Sequence, residues 1–369
     1  MTRALPSRAL LRKLHLWMAL AIGLPVAFVS ALGLPVTYWG ESDALFDATF
    51  YGVGRTHAAS QVDFDRLGAA ALAVSHAVQL KGISLERDGR TVIATVASSG
   101  KVDLEVSLDP ATGHVMGVRD PQQSMIFVLY SLHTRLLLDR LGLDAVGRAI
   151  LMALAAGMIG LIVSGVLLWW PRRWRWESLL PVVRRRTLWR DLHNVAGLYT
   201  LVPLVLAALT ALLLSVPATR SLGSPVPPPM PSRFSAGRGE ITLDRAARTG
   251  EALSPGRATI GVFDIDTPDH LIVLTTSKRA GDRWIVVDRH DGRPVSVSDL
   301  RPQTPADGAD PGFLIGLHQG HRFGPWGQAL FALASMAPTL VFATGLWLWL
   351  RRRRFVSDRS LRKRAYGRP

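Results

Sequence analysis

Ten histidines and no cysteine bound the chemistry open to this 369-residue chain. Without thiols there is no disulfide, iron–sulfur cluster, thiolate zinc site or thioether-attached cofactor, so any metal or prosthetic group must be held by imidazole, carboxylate or backbone. Four histidines stand apart because each lies at or near the end of a long apolar run: His15, His133, His193 and His318. An ionisable side chain in that setting is a functional hypothesis by default. His15 and His193 each follow a leucine and stand ten residues before a proline, Pro25 and Pro203. Two imidazoles at one depth, offered by facing helices, can bind opposite faces of one metal centre. His133 and His318, in Ser131-Leu132-His133 and Gly316-Leu317-His318, form a second, less regular pair, with His321 as an alternative to His318. His318 and His321 share a helical face and could not serve opposite sides of one metal. Arg135 and Arg322, beside the second pair, could neutralise the anionic groups of a cofactor through charge-assisted bonds. Arg12 and Arg190, beside the first pair, read as flanking charge. His57, His76, His114, His270 and His290 fall in loops, turns or module surfaces and read as solvated or locally bonded.

Membrane spans must position these residues. The chain is 48% apolar and carries a net charge of +15, and its mean hydropathy is +0.21, which requires apolar and basic residues to be segregated. Four uncharged runs reach the roughly 20 residues that cross a hydrocarbon core: Leu14 to Trp39, Ala149 to Trp170, Asn194 to Val216 and Phe323 to Leu350. The first is longer than a signal-peptide core and is expected to stay as an anchor. Of the 43 Lys and Arg residues, 20 sit before the first span, between the second and third, and after the fourth. That asymmetry places both termini and the short basic link in the cytoplasm. Because each cluster abuts a span, topology explains them better than nucleic-acid binding. Trp169, Trp170, Trp174, Trp176, Trp189, Trp347 and Trp349 crowd the same boundary as an aromatic belt.

The expected organisation is a cytoplasmic N-terminus (1–13), a span (14–39), an outer module with an interfacial helix (40–145), a span (146–170), a basic link (171–191), a span (192–216), a second outer module (217–322), a span (323–350) and a basic tail (351–369). In the first module a helix is expected over Phe64 to Val78, then strands over Ile83 to Arg87, Thr91 to Ala97, Val102 to Leu108 and His114 to Val118. In the second, a helix over Leu243 to Leu253 precedes strands over Thr259 to Phe263, His270 to Thr276, Arg283 to Asp288 and Pro294 to Ser298. Ser221 to Pro231, with five prolines, reads as a stiff linker. Each module is one helix against a small antiparallel sheet. The order span, module, span occurs twice, and Gly147 precedes Gly165 by eighteen residues as Gly327 precedes Gly345. Two parallel repeats related by an axis near the membrane normal follow. A straight helix over Ile126 to Trp170 would run about 68 Å, so a bend near Gly142 or Gly147 is required.

The run Leu11 to Trp17, the run Arg190 to Gly197, Leu317-His318 followed by Phe323 to Gly327, and the ending from Gly345 to Arg354 together resemble the PepSY-associated transmembrane protein family. Inner-membrane ferric-siderophore reductases of bacterial iron uptake belong to that family. The turn from Asp109 to Gly113 is similar to the PepSY strand-turn pattern. The resemblance implies an α-helical membrane protein, a four-helix transmembrane bundle of two parallel repeats with two small α+β PepSY-like periplasmic modules. It also implies haem b, two per chain, with His15, His193, His133 and His318 as axial ligands, and outward electron transfer to a periplasmic ferric siderophore. The chain has no phosphate-binding Gly-x-x-x-x-Gly-Lys, no Gly-x-Gly-x-x-Gly and no His-Glu-x-x-His, so the electron donor is expected to be a quinol or a separate cytoplasmic reductase. Two other classes compete. One is a non-enzymatic envelope regulator or peptidase-binding protein, and the other is a metal or siderophore transporter, which commonly needs the midplane charges these spans lack.

Overall fold

The computed structural model describes residues 8–52, 62–74, 77–86, 89–99, 102–170, 185–216, 239–277, 281–299 and 313–366. Most of the basic link, the expected linker from Ser221 to Pro231, His57 and His76 lie outside the described residues. In chain order the elements are α1 (Arg8–Ala31), α2 (Gly33–Thr37), α3 (Trp39–Phe46), α4 (Phe64–Leu72), β1 (Ala77–Leu85), β2 (Val92–Ser98), β3 (Asp103–Leu108) and β4 (Val115–Arg119). Then come α5 (Met125–Arg135), α6 (Asp144–Trp169), α7 (Leu188–Tyr199), α8 (Leu201–Ser215) and α9 (Leu243–Ala252). Strands β5 (Ala258–Phe263), β6 (His270–Ser277), β7 (Gly281–Asp288) and β8 (Pro294–Asp299) precede α10 (Phe313–His318), α11 (Gly324–Ala334) and α12 (Ala337–Tyr366). The chain divides into a helical unit (residues 1–38, 129–224 and 311–369) and a sheet unit (39–128 and 225–310).

In the helical unit, three stretches are long and apolar enough to cross a membrane: Arg8–Thr37, Asp144–Trp169 and His321–Arg353. The pair α7 and α8, bent by 59°, makes a fourth if it counts as one span. The break falls at Thr200, three residues before Pro203, whose missing N–H leaves the Tyr199 carbonyl without its helical donor. Close helix approach depends on glycine. A Cβ at Gly157 would lie 2.2 Å from Ile22, one at Gly160 2.5 Å from Met18, and one at Gly23 2.5 Å from Phe342, so α1 can pack tightly on α6 and α12.

The bend required between Ile126 and Trp170 is present. Helix α5 stops at Arg135, Leu136 and Leu137 adopt φ of 57° and 58°, and Gly142 adopts 71° before α6 begins. Left-handed backbone costs a leucine about 1–2 kcal/mol, so neighbouring bonds must hold the turn. Leu136 N–H donates to Leu132 O at 3.2 Å, Leu137 N–H to Ser131 O at 3.4 Å, and the Ser131 hydroxyl to Asp139 at 2.5 Å. Desolvation pushes the Asp139 carboxyl up, but the bonds from Ser131 and Arg135 prevail and hold it below its ordinary value.

The sheet unit differs from the expectation of two separate modules. It is one antiparallel eight-stranded sheet, ordered β4-β3-β2-β1-β5-β6-β7-β8. The halves join where Gly82, Ile83 and Ser84 pair with Phe263, Val262 and Gly261. Each half alone would leave β1 or β5 as an unpaired edge, and joining satisfies both. Helices α4 and α9 cover one face, burying Phe64, Leu67, Ile83, Val106, Val262, Val273 and Ile285 in a single core. Alternation decides the inward set in β2: Val92, Ala94 and Val96 are fully buried. The helix expected to reach Val78 stops at Leu72, because Ala77 already pairs with Ser98 in β1.

The two helices also cap each other. Phe64 N–H donates to Asp244 at 2.8 Å, while Leu243 N–H donates to Asp65 at 2.8 Å. Each first-turn carboxylate thus serves the N-terminus of the other helix.

Candidate functional site

The four histidines singled out by the sequence all lie in the helical unit, and each ring is tied through Nδ1. His15, in the second turn of α1, meets the Ser164 hydroxyl of α6 at 2.8 Å. That hydroxyl also lies 2.7 Å from Gly160 O, to which it donates, and so offers His15 its lone pair. His193, on α7, meets Val341 O at 2.9 Å and the Thr344 hydroxyl at 3.1 Å. Thr344 donates to Leu340 O at 2.7 Å and is likewise left as an acceptor. Both imidazoles therefore carry their proton on Nδ1 and offer the Nε2 lone pair. Glycines lie beneath the rings: a Cβ at Gly165 would sit 3.5 Å from His15 Cε1, and one at Gly345 3.2 Å from His193 Cε1.

His133, on α5, meets Val29 O in the last turn of α1 at 2.8 Å, where helix carbonyls lack helical partners. His318, at the end of α10, meets Ala207 O of α8 at 3.1 Å and the Thr210 hydroxyl at 2.9 Å. Thr210 donates to Leu206 O at 2.6 Å, which again leaves His318 with a free Nε2. The rings of His133 and His318 are 6.2 Å apart, centre to centre. A metal held between two imidazoles at about 2 Å each, plus a ring radius of about 1 Å on either side, needs roughly this separation. It is His318 whose ring lies against His133; His321 opens the following helical turn. From His15 to Val29, which accepts from His133, is roughly 21 Å along α1 at 1.5 Å per residue, so His15 and His133 stand at two levels of the bundle.

Shared offsets tie the pairs together. Val29 follows Pro25 by four residues and Ala207 follows Pro203 by four; a hydroxyl residue immediately precedes Gly165 and Gly345. The irregular spacing of the second pair also resolves. A Cβ at Gly147 would meet the Arg135 carbonyl at 2.1 Å and one at Gly327 the Gly320 carbonyl at 2.7 Å. In each case the carbonyl lies two residues after the histidine. The five extra residues between His133 and Gly147 are taken up by the left-handed turn at Leu136, Leu137 and Gly142.

Arg135 forms ion pairs with Asp139 at 3.4 Å and Asp144 at 3.3 Å, and Asp144 also pairs with Arg148. The Arg322 guanidinium lies 5.1 Å from the centre of the Phe313 ring. Arg190 is 64% exposed and 4.0 Å from Asp191. His270 pairs with Asp264 at 3.3 Å and His290 meets Gly239 O at 2.9 Å, both local contacts within the sheet unit. Sequence reasoning missed the acceptors Ser164, Thr210 and Thr344. The recurring Ser164-Gly165 and Thr344-Gly345 dipeptides were the available signal.

The sheet unit holds a second polar cluster that no sequence pattern announced. Arg119 reaches Asp43 at 2.7 Å, Glu105 at 2.8 Å and Asp47 at 3.6 Å, and lies 4.0 Å from the Phe50 ring centre. Asp43 is 2% exposed and also accepts from the Tyr51 hydroxyl at 2.7 Å. Burial, then the bond to Asp43, pushes the Tyr51 hydroxyl up. Asp43, Asp47 and Arg119 line one side of an open cleft of about 470 Å³. The cluster fastens α3 to the strands β3 and β4.

With this geometry in hand, the family model for the PepSY-associated TM region matches residues 12–352. The chain belongs to the PepSY-associated transmembrane family. Its match runs from the residue before Lys13 to the second arginine after α12 leaves the apolar stretch, and so includes all four histidines. No curated protein matches this PepSY-associated chain.

Proposed function

We propose that this PepSY-associated membrane protein binds two b-type haems and passes electrons outward across the bacterial inner membrane to ferric iron held by a periplasmic siderophore. What supports the proposal is that four imidazoles are each tied at Nδ1 to a neighbouring helix, with the rings of His133 and His318 6.2 Å apart and His15 roughly 21 Å along α1 from the acceptor of His133. Two imidazoles per pair suit a group that brings its remaining ligands with it, as a haem does. Haem supplies one-electron chemistry when bound. The protein supplies orientation: α1 and α7 present His15 and His193, and α5 and α10 present His133 and His318. Two levels divide a hydrocarbon core of about 30 Å into shorter steps. Arg322 flanks the second pair as a cation for a haem propionate, and Arg135 would serve another by exchanging one of its partners Asp139 and Asp144.

The shared offsets support two parallel repeats, with the halves of the sheet as PepSY-like modules. The basic clusters support cytoplasmic termini and a periplasmic sheet unit. Electrons enter from a quinol or a separate cytoplasmic reductase. No protein base or nucleophile is required, because electron transfer asks only for binding, orientation and potential.

The test is the purified full-length protein from haem-replete cells. Pyridine haemochrome analysis should give about two haems per chain, with His15→Ala and His193→Ala losing one haem and His133→Ala and His318→Ala losing the other. Reduced protein should reoxidise with ferric siderophore and release ferrous iron to a chelator. A colourless preparation overturns the haem reading, and haem protein that stays reduced with every ferric chelate overturns the reductase reading.

A further inference from the structure

We infer that Ser164 is a positioning residue that sets the donor strength of His15, and that the four histidines are graded by what their Nδ1 protons meet. The inference rests on the haem-ligand reading above. His133, His193 and His318 each reach a backbone carbonyl, of Val29, Val341 and Ala207. Among the described residues His15, unlike the other three, meets only a hydroxyl, that of Ser164. Thr344 and Thr210 supplement carbonyls that already accept from His193 and His318.

Gly160 O at 2.7 Å and Leu161 O at 3.1 Å can only accept, so the Ser164 hydrogen has a partner within its own helix and its oxygen lone pair is available to a protonated His15 Nδ1. A hydroxyl that donated instead would select the opposite tautomer and turn the unprotonated nitrogen away from the ligand position. An acceptor at Nδ1–H raises the basicity of the other nitrogen and orients the ring. A more basic imidazole stabilises the ferric state, so removing the acceptor raises the reduction potential of that haem. Because His15 has one acceptor and the other three keep a carbonyl, loss of a hydroxyl should matter most at Ser164.

The experiment is a redox titration of purified, haem-loaded full-length protein, with the electron paramagnetic resonance spectrum of the ferric form. Ser164→Ala should raise the midpoint potential of one haem, change its ferric spectrum and weaken its retention about tenfold, leaving the other haem unchanged. Ser164→Thr should restore both. Thr344→Val and Thr210→Val should give smaller shifts, each confined to one haem. Ser164→Cys, close in size and a weaker acceptor, should shift the potential the same way and keeps the test open should the alanine variant misfold. His15→Ala separates the two readings. If it retains both haems, the ligand assignment fails; if it loses one while Ser164→Ala and Ser164→Cys leave potential and spectrum unchanged, only the role of Ser164 is overturned. A Thr344→Val shift as large as that of Ser164→Ala also overturns it.

Discussion

Replacing Gly147 by alanine places a methyl group where the backbone of Arg135 already lies. The new Cβ would sit 2.1 Å from the Arg135 oxygen and 2.9 Å from its carbonyl carbon. An ordinary carbon–oxygen contact is about 3.3 Å, so one of the two backbones must retreat by about 1 Å. Neither is a flexible side-chain end: Gly147 is buried in α6, and Arg135 closes α5 immediately before two left-handed leucines. Overpacking of this kind costs about 1–3 kcal/mol. It also moves the segment carrying His133, two residues upstream, beyond the roughly 0.5 Å within which a binding constellation must be held. Gly147→Ala should therefore melt earlier in detergent and, on the proposed two-haem reading, retain only the haem assigned to His15 and His193. Gly327→Ala, whose Cβ would meet Phe323 at 2.3 Å and Gly320 O at 2.7 Å, should do the same through His318. Gly40→Ala is the control. It lies in α3 with nothing within 4 Å of the added Cβ, where alanine is neutral or up to about 1 kcal/mol favourable. The reasoning is refuted if Gly147→Ala matches the wild type in both melting and haem content.

Arg119→Met leaves Asp43 buried without its cation, which should cost about 3–5 kcal/mol and show as faster proteolysis of the sheet unit; adding Asp43→Asn should recover part of the loss. Burial, followed by the Asp65 carboxylate, raises the Asp244 carboxyl above its ordinary value, so the native state holds that proton more tightly than the unfolded chain. Stability should then fall as pH rises from the ordinary carboxyl range through the native value, and melting curves of Asp244→Asn should lose that slope. Asp65→Ala, which removes the acceptor for Leu243 N–H, should lower stability by about 1 kcal/mol in chemical denaturation of the full chain.

The apolar runs, the basic flanks and the spacing of His15, Pro25, His193 and Pro203 are local in sequence, and they were enough to locate three long apolar helices and the bent pair α7 and α8, and to single out the four histidines that the bundle ties through Nδ1. Strand alternation was legible for the same reason: Val92, Ala94 and Val96 announce their buried face by period alone. Where elements stop was less legible, since α4 ends at Leu72 only because Ala77 is taken into the sheet by Ser98. Three features belonged to the tertiary structure. The union of two modules depends on pairing Gly82 to Ser84 with Gly261 to Phe263, about 180 residues away in the chain. The apparent slip between His133 and His318 vanished once Gly147 and Gly327 were seen to receive carbonyls across a turn, a contact that sequence distance disguises. The acceptors Ser164, Thr210 and Thr344 read as ordinary helix residues until the fold brought a ring nitrogen to each. Burial and periodicity are properties a segment carries with it. A hydrogen bond between residues 149 or 151 positions apart exists only after the helices that hold them have packed.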